Sequence, residues 1–94
     1  MTKYTFVDFD VNDEEECLEA VKKDGMKLMF VKHQTENLCL EAVKQNSRAL
    51  RCVDDQTFVI CCGAVRKDPD AFEYIRNKEM KKRVVKKLLN IEVE

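Results

Sequence analysis

Cysteines stand at positions 17, 39 and 61, at one constant interval, and the sequence between them repeats. The stretch 17–38 reads CLEAVKKDGMKLMFVKHQTENL and the stretch 39–60 reads CLEAVKQNSRALRCVDDQTFVI, with ten identities in 22 and no gap. The stretch 61–82, CCGAVRKDPDAFEYIRNKEMKK, keeps Cys61, Ala64 and Val65 and places Phe72, Tyr74 and Ile75 where the other copies are apolar. A fixed period of this length constrains the fold more than any other feature. Each copy is one supersecondary unit that cannot bury its apolar face alone, so the units must stack.

Within a unit, apolar residues fall at Cys17, Leu18, Ala20 and Val21, and again at Cys39, Leu40, Ala42 and Val43. Offsets of 1, 3 and 4 mark a helix face. Asn12 or Asp13, then Thr35, then Thr57 are the predicted N-caps, whose side-chain oxygens accept orphan N–H groups. Asn12 with Glu15 has capping-box spacing, and residues 13–16 put negative charge at the positive helix end. Glu19–Lys22 and Glu41–Lys44 are i,i+3 pairs worth ~0.2–0.5 kcal/mol each. Gly25 is the expected left-handed C-cap, with Ser47 and Pro69 in the matching positions; proline there can open the next helix. A shorter, apolar second helix follows, around Leu28–Val31, Leu50–Val53 and Phe72–Ile75.

The ends read as caps. Met80, Val84, Val85, Leu88 and Leu89 line one half of a helix of about residues 79–90, and Lys82, Arg83, Lys86 and Lys87 line the other. Residues 1–16 form an N-terminal cap whose Tyr4, Phe6, Val7 and Phe9 suit either a short helix or a strand; Ile91 and Val93 alternate like a second strand. The expected fold is all-α. It is one domain over residues 1–94: a short stack of about three helical-hairpin repeats (17–38, 39–60 and 61–82), closed by a C-terminal amphipathic helix.

Composition agrees and narrows function. With 45% apolar and 37% charged residues, two glycines and one proline, the chain suits packed helices with solvated faces and not a multi-hairpin sheet. No apolar run reaches the ~20 residues of a membrane span. The net charge of −1 conceals an asymmetry: residues 1–60 carry 8 Lys and Arg against 12 Asp and Glu, and residues 61–90 carry 9 against 4. A nucleic-acid binder is usually basic throughout. Five cysteines, an odd number with no secretory signal, predict free thiols and a cytoplasmic location. The only histidine, His33, and the adjacent pair Cys61-Cys62 lack zinc spacing. No metal or cofactor is expected. No glycine-rich phosphate loop, HExxH or GxSxG is present, so no catalytic residues are assigned.

Stacking sets matching positions side by side. Met26, Arg48 and Asp70 form one row; Met29, Arg51 and Glu73 form another. These six are the candidate interaction surface, a strip of variable side chains. The competing reading is that Arg48–Asp70 and Arg51–Glu73 pair across units and fix the stack, at ~0–1 kcal/mol per exposed pair. Lys22, Lys44 and Arg66 make a basic row. Lys82, Arg83, Lys86 and Lys87 are the candidate basic patch for an acidic partner or a phosphate backbone. Asp54-Asp55 falls in a loop. Gly63 is an exception to the period, standing where Glu19 and Glu41 stand.

The stretch 39–53, CLEAVKQNSRALRCV, resembles the tandem CLEAVKQNGxALxYV repeat of a domain of unknown function found in bacteria and large DNA viruses. The stretch 17–31 is similar, with Gly25 kept and Asp24 for asparagine; 61–75 is looser, with Pro69 at the glycine position. The resemblance covers about residues 11–76. It implies a small all-helical repeat fold and carries no catalytic residue. The expected function is a non-catalytic protein-interaction module, an α-solenoid of viral, phage or bacterial origin that binds and inhibits a host component. The alternative is a nucleic-acid-binding accessory protein using the basic C-terminal third. Homodimerisation stays open; no membrane partner is expected.

Overall fold

The fold is that of a computed structural model, in which residues 11–89 are described. Four α-helices alternate with three 3-10 helices: α1 (Glu14–Lys23), η1 (Gly25–Phe30), α2 (Glu36–Gln45), η2 (Ser47–Cys52), α3 (Phe58–Lys67), η3 (Pro69–Tyr74) and α4 (Lys78–Leu89). The fold is all-α. A ten-residue α-helix followed by a six-residue 3-10 helix occurs three times, at the interval of the repeated cysteines. Tyr4, Phe6, Val7, Phe9, Ile91 and Val93, the suggested terminal strands, lie outside the described residues.

Each α-helix starts on a side-chain cap. Asp13, not Asn12, caps α1, its Oδ1 accepting from Glu15 N at 2.9 Å and Glu16 N at 3.3 Å. Thr35 accepts from Leu38 N at 3.1 Å, Thr57 from Ile60 N at 3.3 Å, and Asn77 from Met80 N at 3.0 Å at the start of α4.

The turn between α-helix and 3-10 helix differs from the sequence expectation. Gly25 is not a left-handed cap. A single residue, Asp24, Asn46 or Asp68, links the helices in extended backbone, with φ near −149, −151 and −149°. Its N–H donates back to Ala20, Ala42 or Ala64, while its side chain caps the next helix from Met26, Arg48 or Asp70 N at 3.0–3.1 Å. One Asx residue thus ends one helix and begins another. Six residues lie between this Asx and the extended Val31, Val53 or Ile75, and they wind as a 3-10 helix. Gly25 serves another purpose: a Cβ there would collide with the Ala42 carbonyl oxygen of the next unit. Pro69 opens η3 at its first turn, as expected.

The elements form two layers. α1 packs on α2, α2 on α3 and α3 on α4, while η1, η2 and η3 stack alongside. η1 and η2 each contact their own α-helix and the following one. Between the layers runs one apolar core, with Val21, Leu28, Ala42, Val43, Ala49, Leu50, Cys61 and Ala64 fully buried. Burying a leucine side chain is worth ~1.5–3 kcal/mol, so Leu28 and Leu50 anchor their 3-10 helices to the α layer. Phe72, in the same position of η3, is only partly covered, and α4 supplies Val84 to the core instead. Among the described residues no helix is long and apolar enough to cross a membrane.

Polar contacts set the register between units. The Gln34 side-chain amide donates to Cys52 O at 2.8 Å and accepts from Asp54 N at 2.9 Å. Gln56, its counterpart one period on, donates to Tyr74 O and accepts from Arg76 N, both at 3.0 Å, and also donates to Leu50 O at 2.9 Å. Thr35 bonds Glu14 and Thr57 bonds Glu36, both at 3.3 Å. The expected Glu19–Lys22 and Glu41–Lys44 ion pairs are not formed among the described residues; Lys82–Glu79, at 3.8 Å, is one that is.

Candidate functional site

The first candidate surface is the outer face of the 3-10 layer. Caps at Asp24, Asn46 and Asp68 and anchors at Leu28 and Leu50 hold its helices in register. The structure therefore brings the two predicted rows to one side. Met29, Arg48, Arg51, Asp70 and Glu73 are exposed and Met26 is half-buried. Met29 is 62% exposed and Phe30 is 38% exposed, so one end of the strip is apolar. The sequence places Phe30 and its counterpart Cys52 within the apolar runs 28–31 and 50–53 of the short helices. A 3-10 helix has three residues per turn and turns both outward, and Cys52 is only half-buried.

The cross-unit pairs do not form. No ion pair joins Arg48 to Asp70 or Arg51 to Glu73 among the described residues. The Arg51 guanidinium instead lies 5.5 Å from the Tyr74 ring centroid. Arg51 therefore meets the third unit through an aromatic face and not through an ion pair, while Gln34 and Gln56 carry side-chain bonds to the backbone of the next unit. The signal for the glutamines is present in the sequence, since the dipeptide Gln-Thr recurs at 34–35 and 56–57. Only the thread of the chain shows that each amide reaches the backbone of the next loop.

The second candidate surface is basic. Lys22, Lys44 and Arg66 are exposed, as are Lys82, Arg83, Lys86 and Lys87 on α4. The α4 patch is not a uniform charged face. Lys82 pairs with Glu79, and Arg83 covers the Phe58 ring of α3 at 4.5 Å. Lys81, on the same helix, lies 5.3 Å from the Phe72 ring.

The loops between units border an open hollow of about 470 Å³ whose lining includes His33, Glu36, Cys39, Asp54 and Asp55. A cysteine, a histidine and carboxylates thus share one hollow, which sequence spacing did not suggest. Its chemistry opposes a nucleophile. Burial pushes the Cys39 thiol up to about 11, helped by Asp54, Asp55 and Glu36, and Cys39 Sγ lies 3.5 Å from the Gln34 amide oxygen. Burial likewise raises Cys61 to about 11, with Cys62 adding and Arg76 opposing. No disulfide joins any of the five cysteines. Among the described residues no group of three or more His, Cys, Asp or Glu is placed to hold a metal.

Comparison with known families bears on the first two units. Residues 13–58 match a family described as a domain of unknown function, DUF4116. The matched stretch begins at the Asp13 cap and ends at the start of α3. It supports an uncharacterised domain family for this part of the chain. No curated protein and no solved structure matches.

Proposed function

We propose that the chain is a non-catalytic interaction module that binds a partner protein through the outer face of the 3-10 layer. One observation carries the reading: Met29 and Phe30 stand exposed on the same layer as Arg48 and Arg51, which have no ion-pair partner among the described residues. An apolar patch next to unneutralised arginines has the composition of an interface centre, where methionine, aromatic residues and arginine are enriched. The stacked units supply the rigid extended surface that solenoid-like proteins use for binding. Binding of this kind acts by occlusion, so the module inhibits whatever its partner's covered surface serves.

The test is affinity for a partner captured from the native host, compared between wild type and the Met29→Asp, Arg48→Ala double variant. Both positions are exposed, so each substitution should shift stability by no more than ~0.5 kcal/mol. The proposal expects at least tenfold weaker binding at unchanged melting temperature. Undiminished binding, or weakening only in step with a lowered melting temperature, contradicts it.

A further inference from the structure

Gly63 has no structural reason to be glycine. It lies within α3, where glycine is less favourable than alanine. Its backbone is not left-handed, and an added Cβ would meet only Leu40 Cδ2 at 3.5 Å, an ordinary contact. Gly25 differs, since its Cβ would strike backbone. The two preceding units carry Glu19 and Glu41 at the position of Gly63.

What the bare position creates is a groove. A hollow of about 310 Å³ opens there, with Leu40, Phe58, Val59 and Cys62 around Gly63. Val59 is 52% exposed. Lys44 of α2, Arg66 of α3 and Lys87 of α4 stand in its lining, and none has an ion-pair partner among the described residues. Arg66, Lys87 and Arg83 each act to lower the Cys62 thiol against the burial that raises it, so the field over the hollow is positive. A glutamate at position 63 would fill the hollow and neutralise part of that field. Every lining residue belongs to the α layer, so this is not the 3-10 face.

We propose that this groove binds an acidic peptide segment carrying a bulky apolar side chain. The apolar side chain enters the hollow over Gly63, and flanking carboxylates meet Lys44, Arg66 and Lys87. Charge complementarity selects an anion, and the floor selects which kind. Leu40, Val59 and Cys62 make it apolar, which suits an aliphatic or aromatic side chain, and Arg83 already covers a face of Phe58 on which a base would stack.

The probe is a fluorescein-labelled peptide with a central leucine and phenylalanine flanked on each side by three glutamates. Fluorescence anisotropy should show micromolar binding that weakens as salt rises. Gly63→Glu should weaken it at least tenfold, with helicity and melting temperature kept because units one and two accommodate glutamate there. Lys87→Glu gives the same loss from another helix, should the first variant fold poorly. A peptide with alanine in place of leucine and phenylalanine should bind at least fivefold more weakly. Met29→Asp should leave the peptide affinity unchanged, which separates this site from the 3-10 face. The proposal is overturned if the peptide does not bind, if both variants bind it as wild type does, or if a single-stranded oligonucleotide binds more tightly than the peptide and displaces it.

Discussion

Replacing Gln56 with alanine removes one of the fasteners between the second and third units, which the Arg76 guanidinium on Val53 O and Ser47 Oγ on Asp68 also join. The Gln56 side chain makes three hydrogen bonds to backbone: to Leu50 O, to Tyr74 O and from Arg76 N, at 2.9, 3.0 and 3.0 Å. A typical protein hydrogen bond contributes ~0.5–1.5 kcal/mol net, and a buried partner left unsatisfied adds to that loss. Arg76 is exposed, so water can replace its share. With that discount the cost of Gln56→Ala is about 2–3 kcal/mol. For a domain of this size that lowers the melting temperature by about 8–24 °C. Urea unfolding followed by far-ultraviolet circular dichroism measures it. Gln34 makes only two such backbone bonds, so Gln34→Ala should cost less. Gln56→Glu should cost more than alanine at neutral pH, because a carboxylate cannot donate to two carbonyls, and should recover partly in acid, where its protonated form can donate. A Gln56→Ala loss smaller than that of even one weak hydrogen bond, ~0.5 kcal/mol, would refute the clamp. So would a reversed order of the two alanine variants.

Other expectations follow from single positions. Gly25→Ala should destabilise by at least ~2 kcal/mol by denaturant titration, since its Cβ meets the Ala42 carbonyl, a backbone group that cannot swing aside. Gly63→Ala should be neutral or stabilise by up to ~1 kcal/mol in the same assay. Timed alkylation with mass spectrometry at pH 8 should label half-buried Cys52 well before Cys39 and Cys61, whose thiols titrate near 11. Those two pKa values lie above the reference 9.0 of the unfolded chain. The unfolded state therefore loses protons first, so the thiol contribution to stability is complete below pH 9 and falls as pH rises toward 11. Unfolding measured from pH 8 to 10.5 should show a shallower decline in a Cys39→Ala, Cys61→Ala variant.

The stack is legible in the sequence because it follows from periodicity. The cysteine interval, the caps at Thr35 and Thr57, the buried Cys17, Cys39 and Cys61, and Pro69 at a helix start all rest on local rules the structure obeys. What is not legible depends on neighbours in space. Gly25 looks like a left-handed cap because glycine after a helix often is one; its actual constraint is the Ala42 carbonyl of the next unit. Nothing in the hydrophobic period marks Asp24, Asn46 and Asp68, although each ends one helix and caps another. Phe30 lies in an apolar run yet stands exposed, because an α-helical and a 3-10 turn differ in which residues share a face. Of the candidate surface, the row pattern is readable from the repeat. The failure of Arg48 and Arg51 to pair with Asp70 and Glu73 is set by three-dimensional packing, where Tyr74 takes the Arg51 guanidinium.

The functional account stands or falls on whether the 3-10 face touches another protein. A photo-cross-linking amino acid placed at Met29, at Arg51 and, as a control, at exposed Asn37 on α2 tests this in the native host cell. One discrete protein adduct is expected from positions 29 and 51 and none from 37. Equal adducts from all three positions, or adducts from 37 alone, would contradict it.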